Sequence, residues 1–196
     1  EFEEALAVSP RFALSCDEQT LKELARFAFD YTLWVQTHLA ENQEEVAAVA
    51  KAFPKARSYT DVYDQAGLLT PRTLLAHCIH LSEFDWRAIK QRGCIVVHCP
   101  TSNEALGSGR MPLEKVRALD IPWVLGTDVG AGPDLCMLDV IEAVMRVHDW
   151  EAPVTAVEAF FRATVSLETL ETYASRKSRI TRMLGTVRAG FIEFKR

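Results

Sequence analysis

Short apolar runs alternate with longer stretches of helical periodicity along most of the chain. Apolar runs bounded by polar turns predict buried strands, and apolar residues spaced three and four apart predict amphipathic helices. Strands that alternate with helices form right-handed βαβ units and a parallel sheet. Strands are predicted at residues 34–38, 73–77, 94–98 and 121–128, and residues 11–15 are predicted to end an earlier strand.

Helices are predicted between and after these strands. Asp17 suits the N-cap of the first helix, in which Leu21, Leu24 and Ala25 recur at helical spacing. Pro54 should end the second helix, because proline lacks the amide hydrogen that a helix interior needs. Further helices are predicted at residues 41–52, 82–93, 113–119, 138–147 and 154–163, a loop with a short helix at 58–69, and a polar loop at 100–109.

Ionisable residues stand at the last positions of four predicted strands. These residues are His38, His77, His98 and Asp128. Because the carboxyl ends of parallel strands lie at one edge of a sheet, we expect a shared site there. Taken singly, each residue also fits a structural role, since polar side chains at strand ends often bond loop backbone.

The stretch around His38 offers both a metal ligand and a proton carrier. A neutral histidine nitrogen is a common zinc ligand. Glu41, one helical turn further on, could lie beside the metal and move protons for a bound water. A lone His-x-x-Glu string is common, however, and by itself it more often marks a surface or core histidine.

The composition is that of an ordinary globular protein, and it gives no sign of a nucleic-acid or membrane partner. Hydrophobic residues make up 48% and charged residues 25% of the 196 residues. The net charge of −5 gives no reason to expect a nucleic-acid or membrane partner, and no apolar run is long enough to span a bilayer. Five cysteines without a Cys-x-x-Cys pair predict free, mostly buried thiols in a reducing cytoplasm.

Six strings of residues together resemble the amidohydrolase superfamily, and more closely its guanine deaminase branch. The strings are Pro10-Arg11-Phe12, Gln36-Thr37-His38-Leu39-Ala40-Glu41-Asn42, Leu75-Ala76-His77, His98-Cys99-Pro100-Thr101-Ser102-Asn103, Leu106-Gly107-Ser108-Gly109 and Leu125-Gly126-Thr127-Asp128-Val129-Gly130. The resemblance runs over residues 8–149. It implies a metal-dependent hydrolase of the (β/α)8-barrel type, of which this chain would supply about strands four to eight.

The resemblance also implies an activity: zinc-dependent hydrolytic deamination of guanine to xanthine and ammonia, a step of purine metabolism, through a metal-bound hydroxide. One zinc ion per site is expected, with iron as an alternative. By match to the motif, His38 and Asp128 would bind the metal, and Asp128 would also take the proton of the attacking water. Glu41 would carry that proton to the ring nitrogen and the leaving amine.

The remaining roles implied by the resemblance concern the substrate. His77 would hydrogen-bond the hydroxide or the developing oxyanion, and it is a possible third metal ligand. Arg11 would bond the purine carbonyl, with Phe12 beside it; His38, Glu41 and Asp128 would also border the substrate. His98 is expected to fix a loop together with Asn103. His148, at a predicted helix end, favours a contact with the helix dipole.

Two features of the chain depart from the superfamily pattern. The His-x-His pair of the first barrel strand is absent from the sequence, which predicts either a fragment that begins near the fourth strand or a natural truncated relative. The predicted organisation is a barrel segment at residues 1–164 and a divergent tail at 165–196, in which Arg176, Lys177, Arg179 and Arg182 form a basic patch. Open sheet edges would favour a homodimer.

Two alternative functions stay open at the level of sequence. One is a related amidohydrolase that acts on another amino- or chloro-substituted heterocycle, and Arg11 is the discriminator because a carbonyl-binding arginine suits guanine. The other is a truncated, inactive relative that serves as an interaction module. Metal content separates the enzymes from the inactive relative.

Overall fold

A computed structural model describes residues 6–133 and 135–164 of the chain. The predicted tail at residues 165–196, including its basic patch, lies outside the described residues. The strands are β1 (Ala7–Val8), β2 (Trp34–Leu39), β3 (Thr73–His77), β4 (Ile95–His98) and β5 (Trp123–Leu125). The helices are α1 (Glu18–Asp30), α2 (Gln43–Ala52), α3 (Tyr59–Ala66), α4 (Glu83–Arg92), α5 (Pro100–Ala105), α6 (Leu113–Ala118), α7 (Met137–Val147) and α8 (Ala156–Thr164).

The five strands form one parallel sheet in the sequential order β1-β2-β3-β4-β5. Helices follow the strands, as in a segment of a (β/α) barrel, which confirms the predicted α/β fold class. The register pairs His38 with Ala76 and Leu39 with His77, so the carboxyl ends of β2 and β3 lie side by side. The sheet therefore gathers the residues that follow its strands along one edge.

Helix α1 begins, and helix α4 begins and ends, at residues that the sequence predicts. The Asp17 carboxylate accepts a hydrogen bond from the Thr20 amide at the start of α1. Ser82 and Asp85 form a reciprocal capping box on α4. Gly93 ends that helix with φ of +71°, a left-handed conformation that glycine adopts at little cost.

The core lies between the sheet and the helices packed on it. Buried residues from the strands, such as Leu75 and Val96, pack against buried helix residues such as Leu21, Val49 and Ile89. This burial fixes the orientation of each strand, because alternate side chains point to opposite faces. No helix within the described residues combines the length and apolar character that crossing a bilayer requires.

Three predictions of local structure were wrong in position. Residues 11–15 do not end a strand: the earlier strand is Ala7–Val8, and Ala13–Ser15 forms a 3-10 helix. The predicted polar loop at 100–109 contains the helix Pro100–Ala105, with Pro100 at a position where its missing amide costs nothing. The last strand ends at Leu125, three residues before Asp128.

The turn after β5 holds Asp128 at the edge of the sheet. The Asp128 carbonyl oxygen accepts hydrogen bonds from the amides of Ala131 and Gly132. A Cβ atom at Gly132 would collide with the carbonyl oxygen of Thr127, so only glycine lets the turn close this tightly. Asp128 thereby reaches the same edge as the strand-end histidines without being part of a strand.

Candidate active site

Two imidazoles and two carboxylates meet beyond the carboxyl ends of the strands. His38 is the penultimate residue of β2, and His77 is the last residue of β3. Glu41 follows β2, and Asp128 follows β5. His77 is fully buried, whereas the other three side chains are 13–23% exposed. The site is thus partly open to solvent, and His77 is its buried member.

The functional atoms face a common space. His38 Nε2 lies 3.7 Å from Asp128 Oδ1, and His77 Nε2 lies 3.9 Å from Asp128 Oδ2. Glu41 Oε2 lies 3.8 Å from His77 Nε2. One ligand atom from each of His38, His77 and Asp128 lies within 4.8 Å of the other two. These separations exceed direct hydrogen bonds but leave room for a single ion or water between the groups.

Hydrogen bonds on the far side of each ring determine which nitrogen faces this space. His38 Nδ1 lies 2.7 Å from the carbonyl oxygen of Arg11, and His77 Nδ1 lies 2.8 Å from Asn103 Oδ1. Both acceptors are oxygens, so each Nδ1 carries the proton. In the neutral ring, Nε2 then presents a lone pair towards the shared space. Metal-binding histidines typically show this arrangement.

The donor set suits zinc. Catalytic zinc sites combine imidazole nitrogens with carboxylate oxygens at about 2.0–2.2 Å, which places neighbouring ligand atoms roughly 3.3–3.5 Å apart. The distance from His38 Nε2 to Asp128 Oδ1, 3.7 Å, is only a few tenths of an ångström longer. His77 Nε2 is buried and has no hydrogen-bond partner in the described part of the chain, which is costly for a polar atom unless something binds it.

Two serines hold the carboxylates, and sequence reasoning assigned neither of them a role. Ser102 Oγ donates a hydrogen bond of 2.5 Å to Asp128 Oδ2, and Ser108 Oγ donates one of 3.0 Å to Glu41 Oε1. Both serines occur in strings that carry the family resemblance, which is the signal that could have identified them. Each hydrogen bond satisfies one carboxylate oxygen and leaves the other towards the shared space.

The backbone of the site is strained. Ala40, His77, Cys78 and Asp128 have positive φ angles of 51°, 70°, 52° and 55°. Non-glycine residues adopt this left-handed region only at a cost of order 1–3 kcal/mol each. All four residues lie where β2, β3 or β5 leads into the site, so this strain is concentrated where the side chains converge.

Arg11 contributes its backbone as well as its side chain. Its carbonyl oxygen accepts hydrogen bonds from both the amide and the ring Nδ1 of His38. Its guanidinium group is exposed, lies 5.6 Å from the centre of the Phe12 ring, and has no ion-pair partner among the described residues. The side chain is therefore free to meet a ligand, and the backbone already fixes a candidate metal ligand.

His98 does not join the shared space. It is buried, and its Nε2 lies 3.0 Å from Nε2 of His148, whose Nδ1 lies 3.1 Å from the Arg110 guanidinium. Burial lowers the pKa of His98 well below its usual value, and burial together with the Arg110 charge lowers the pKa of His148 to about 4. His148 stands at the C-terminal end of α7, as the sequence predicts, but its two ring nitrogens face His98 and Arg110, and its lowered pKa disfavours the charge that a dipole contact needs.

Cys78 and Cys99, which flank the site in sequence, are core thiols. Both are buried, and burial raises the pKa of each thiol above its usual value. A thiol that stays protonated is a poor nucleophile and a poor metal ligand. These residues therefore pack beneath the site, as expected from the sequence.

Comparison with known proteins identifies a family and relatives that this chain resembles. The model of the amidohydrolase family matches residues 4–171. Guanine deaminase from Mus musculus is 41% identical over 142 residues, which cover 72% of this chain and 31% of the relative. The chain thus spans about a third of the length of the curated relatives that it matches.

Solved structures agree with the fold. A guanine deaminase from C. acetobutylicum with guanine bound in its active site superposes with a TM-score of 0.77 at 36% identity, covering 84% of this chain and 41% of that chain. An atrazine chlorohydrolase from Arthrobacter aurescens TC1 complexed with zinc gives a TM-score of 0.71 at 18% identity, covering 80% of this chain and 36% of that chain. The second likeness concerns the fold alone.

Proposed function

The chain belongs to the amidohydrolase family, and from this membership we propose that it acts as a zinc-dependent guanine deaminase. The proposed reaction is hydrolysis of guanine to xanthine and ammonia. One observation supports it above all: His38, His77 and Asp128 converge, with Glu41 beside them, in a chain that is 41% identical to a guanine deaminase over 142 residues. The activity belongs to the whole relative, so it is a proposal for this chain.

His38 Nε2 and the Oδ1 atom of Asp128 are the atoms that would hold zinc. Bound zinc would supply Lewis acidity that brings the pKa of a water molecule towards neutrality. His38 is kept in the required tautomer by the Arg11 carbonyl, and Asp128 is oriented by Ser102. The protein therefore arranges these donors before any ligand arrives, which lowers the cost of binding.

In our proposal, Glu41 moves the protons that hydrolysis transfers. The oxygen of water forms a bond to the ring carbon that bears the amino group, and the carbon–nitrogen bond then breaks to release ammonia. Glu41 Oε2 faces the site, while Ser108 holds Oε1. In our proposal, Asp128 assists in taking the water proton. Glu41 passes that proton to the ring nitrogen, where it stays, and carries a second proton, from the hydroxyl now on the ring carbon, to the amine as it leaves.

His77 is the buried imidazole of the site, and its proposed role depends on its tautomer. With its proton on Nδ1, the neutral ring can accept a hydrogen bond at Nε2, or bind the metal as a third ligand, but it cannot donate there. This limits the predicted role of His77 to orienting water in the neutral form. Donation to a developing oxyanion would require the doubly protonated ring.

Arg11 is the proposed discriminator for guanine. Its exposed guanidinium presents several N–H donors, which suit the purine carbonyl oxygen, and Phe12 offers an apolar face beside it. A chlorinated or purely amino-substituted ring lacks that carbonyl and should gain less from this contact. The side chain thus favours guanine over the related heterocycles.

A substrate panel tests the proposal. The purified full chain, loaded with zinc, is incubated with guanine, adenine and an amino-substituted triazine, and ammonia and xanthine are measured. We expect bound zinc, and turnover of guanine only, which Glu41→Gln abolishes. A folded chain that binds zinc and leaves guanine untouched would contradict the proposal for this chain, and preference for the triazine would favour the related heterocycle activity.

A further inference from the structure

One short stretch of chain, residues 100–109, contacts three of the four polar side chains of the site. We call it the positioning segment; it consists of α5 and the turn that follows. Its contacts are Asn103 Oδ1 with His77 Nδ1 at 2.8 Å, Ser102 Oγ with Asp128 Oδ2 at 2.5 Å, and Ser108 Oγ with Glu41 Oε1 at 3.0 Å. The contacted residues come from three different parts of the chain.

In both carboxylates, one oxygen accepts a hydrogen bond from the positioning segment and the other lies near a histidine of the site. Glu41 gives Oε1 to the segment and keeps Oε2, which lies 3.8 Å from His77 Nε2. Asp128 gives Oδ2 and keeps Oδ1, which lies 3.7 Å from His38 Nε2. Because a carboxylate rotates easily about its terminal bond, one fixed oxygen determines where the other points.

The imidazole of His77 depends on the segment for its tautomer as well as its orientation. The two nitrogens of a neutral ring are distinguished by the hydrogen bond that one of them makes. Asn103 Oδ1 can only accept, so it selects the proton on Nδ1 and leaves the Nε2 lone pair facing Asp128 and Glu41. Asn103 is itself 2% exposed, so water does not compete for this bond.

Both ends of the segment are tied to one residue. His98 precedes the segment and Arg110 follows it, and both contact the ring of His148. Arginine can only donate, so His148 Nδ1 accepts from Arg110 and its Nε2 proton is donated to His98. A further ion pair joins Glu104 in α5 to Arg146 in α7 at 2.7 Å. The segment is therefore held from outside the site.

From these contacts we propose that Asn103, Ser102 and Ser108 are positioning residues, which set the tautomer of His77 and the orientations of Asp128 and Glu41. The catalytic consequence rests on the proposed function. The tautomer of His77 does not depend on that function, because it follows from the hydrogen bond alone. The positioning role can therefore be tested in the metal-free chain.

The first test is a two-bond proton–nitrogen correlation spectrum of the 15N-labelled, metal-free full chain, which reports the tautomer of each histidine ring. We expect His77 to carry its proton on Nδ1. Asn103→Leu should shift the ring towards the Nε2-protonated form, whereas Asn103→Asp, which keeps an acceptor oxygen, should retain the native tautomer. Asn103 lines a cavity of about 260 Å³, which gives the leucine side chain room.

Thr101→Val is the matched control. Thr101 lies in the same helix, and its buried hydroxyl has no hydrogen-bond partner within the described residues. Loss of the Thr101 hydroxyl should leave the tautomer of His77 unchanged. If Asn103→Leu does not fold, the wild-type spectrum decides alone: a ring protonated on Nε2 would overturn the proposal.

The second test measures zinc affinity and kinetics of the full chain. Ser102→Ala should weaken zinc binding roughly 10–100-fold, the loss typical of a group that orients a ligand. Ser108→Ala should leave zinc binding unchanged and lower kcat more than it raises KM. Wild-type affinity and kinetics in both variants would contradict the positioning roles. The wild-type chain could instead show the expected tautomer, and Ser102→Ala the expected loss of zinc affinity, while the wild-type chain does not turn over guanine. That result would refute the proposed function and keep the positioning roles.

Discussion

His38 Nε2 lies 3.7 Å from Asp128 Oδ1. His38 belongs to β2 and Asp128 follows β5, and these two strands are not neighbours in the sheet. Two strands, β3 and β4, lie between β2 and β5. Asp128 lies three residues beyond the end of β5, in a turn that the amides of Ala131 and Gly132 close by donating to its carbonyl oxygen. This pair forms only when strands β2 to β5 are correctly assembled. A change in the contact between His38 and Asp128 would therefore indicate a change in the fold as well as in the site.

Removal of either partner should abolish high-affinity zinc binding. His38→Asn removes the imidazole nitrogen, and Asp128→Asn replaces a charged carboxylate oxygen by a neutral amide oxygen. We expect losses of zinc affinity well above the roughly 10–100-fold that follow from removing an orienting group. Metal competition titration of the purified chain measures the change. His80→Asn is the control, because His80 bonds the Ser108 carbonyl and lies outside the cluster of ligand atoms. Unchanged affinity in His38→Asn would remove that residue from the metal site.

Glu41→Gln should separate metal binding from proton transfer. The amide keeps the shape and the contact with Ser108 but cannot carry a proton, so turnover should fall roughly 10²–10⁴-fold. Zinc content should stay at the wild-type level, because Glu41 is not among the ligand atoms that converge. Glu44→Gln, at an exposed position in the following helix α2, should change neither quantity.

Arg11→Ala should affect the substrate and spare the metal. The backbone carbonyl of Arg11, which holds His38, is still present in the variant, so zinc affinity should not change. Loss of the guanidinium should raise KM for guanine by roughly tenfold or more, the equivalent of one charge-assisted hydrogen bond. Arg26→Ala, which removes an exposed arginine of α1, is the control. Equal KM values in Arg11→Ala and wild type would end the proposed role.

The convergence of strand-end residues could be predicted from the sequence because it follows from two simple rules. Apolar runs give the strands, and parallel pairing places their carboxyl ends on one edge. His38 and His77 were found in this way. Asp128 was also found, although the strand stops at Leu125 and a glycine-dependent turn makes the final approach.

The positioning segment could not be predicted from local pattern. Thr101, Ser102 and Asn103 have low helix propensity, and the stretch reads as a polar loop. In the fold these residues are buried, and Ser102 and Asn103 gain hydrogen bonds to residues that are distant in sequence. Such tertiary contacts outweigh intrinsic propensity, and no spacing rule within the segment reveals them.

Tyr63→Phe should destabilise the fold beneath the site. The buried Tyr63 hydroxyl donates to the His38 carbonyl oxygen at 2.8 Å and accepts from Thr37 Oγ1 at 3.0 Å. Without it, both partners lose a hydrogen bond in a place that water does not reach, at a cost of about 1–3 kcal/mol. Urea denaturation measures the change in the free energy of unfolding. Tyr31→Phe, at a position that is 66% exposed, should lie within about 0.5 kcal/mol of wild type.

Stability should fall between pH 7 and pH 5 because His98 and His148 are buried in neutral form. Burial lowers the folded-state pKa of both residues, that of His148 to about 4, whereas unfolding returns each towards its ordinary value near 6.5. As the pH drops below about 6.5, the unfolded chain takes up protons that the folded chain refuses. Each histidine then lowers the free energy of unfolding by about 1.4 kcal/mol per pH unit, until the pH approaches its folded-state pKa.

His148→Gln tests this pH dependence directly. Glutamine can still accept from Arg110 and donate to His98, but it does not titrate, so the slope between pH 5 and pH 6.5 should become shallower by about 1.4 kcal/mol per pH unit. Well above pH 7 the two proteins should show equal slopes, since both histidines are neutral there in the folded and the unfolded state. Urea denaturation across this range gives the slopes. Equal slopes in variant and wild type would mean that His148 is protonated in the folded chain, and its contact with Arg110 would then be repulsive.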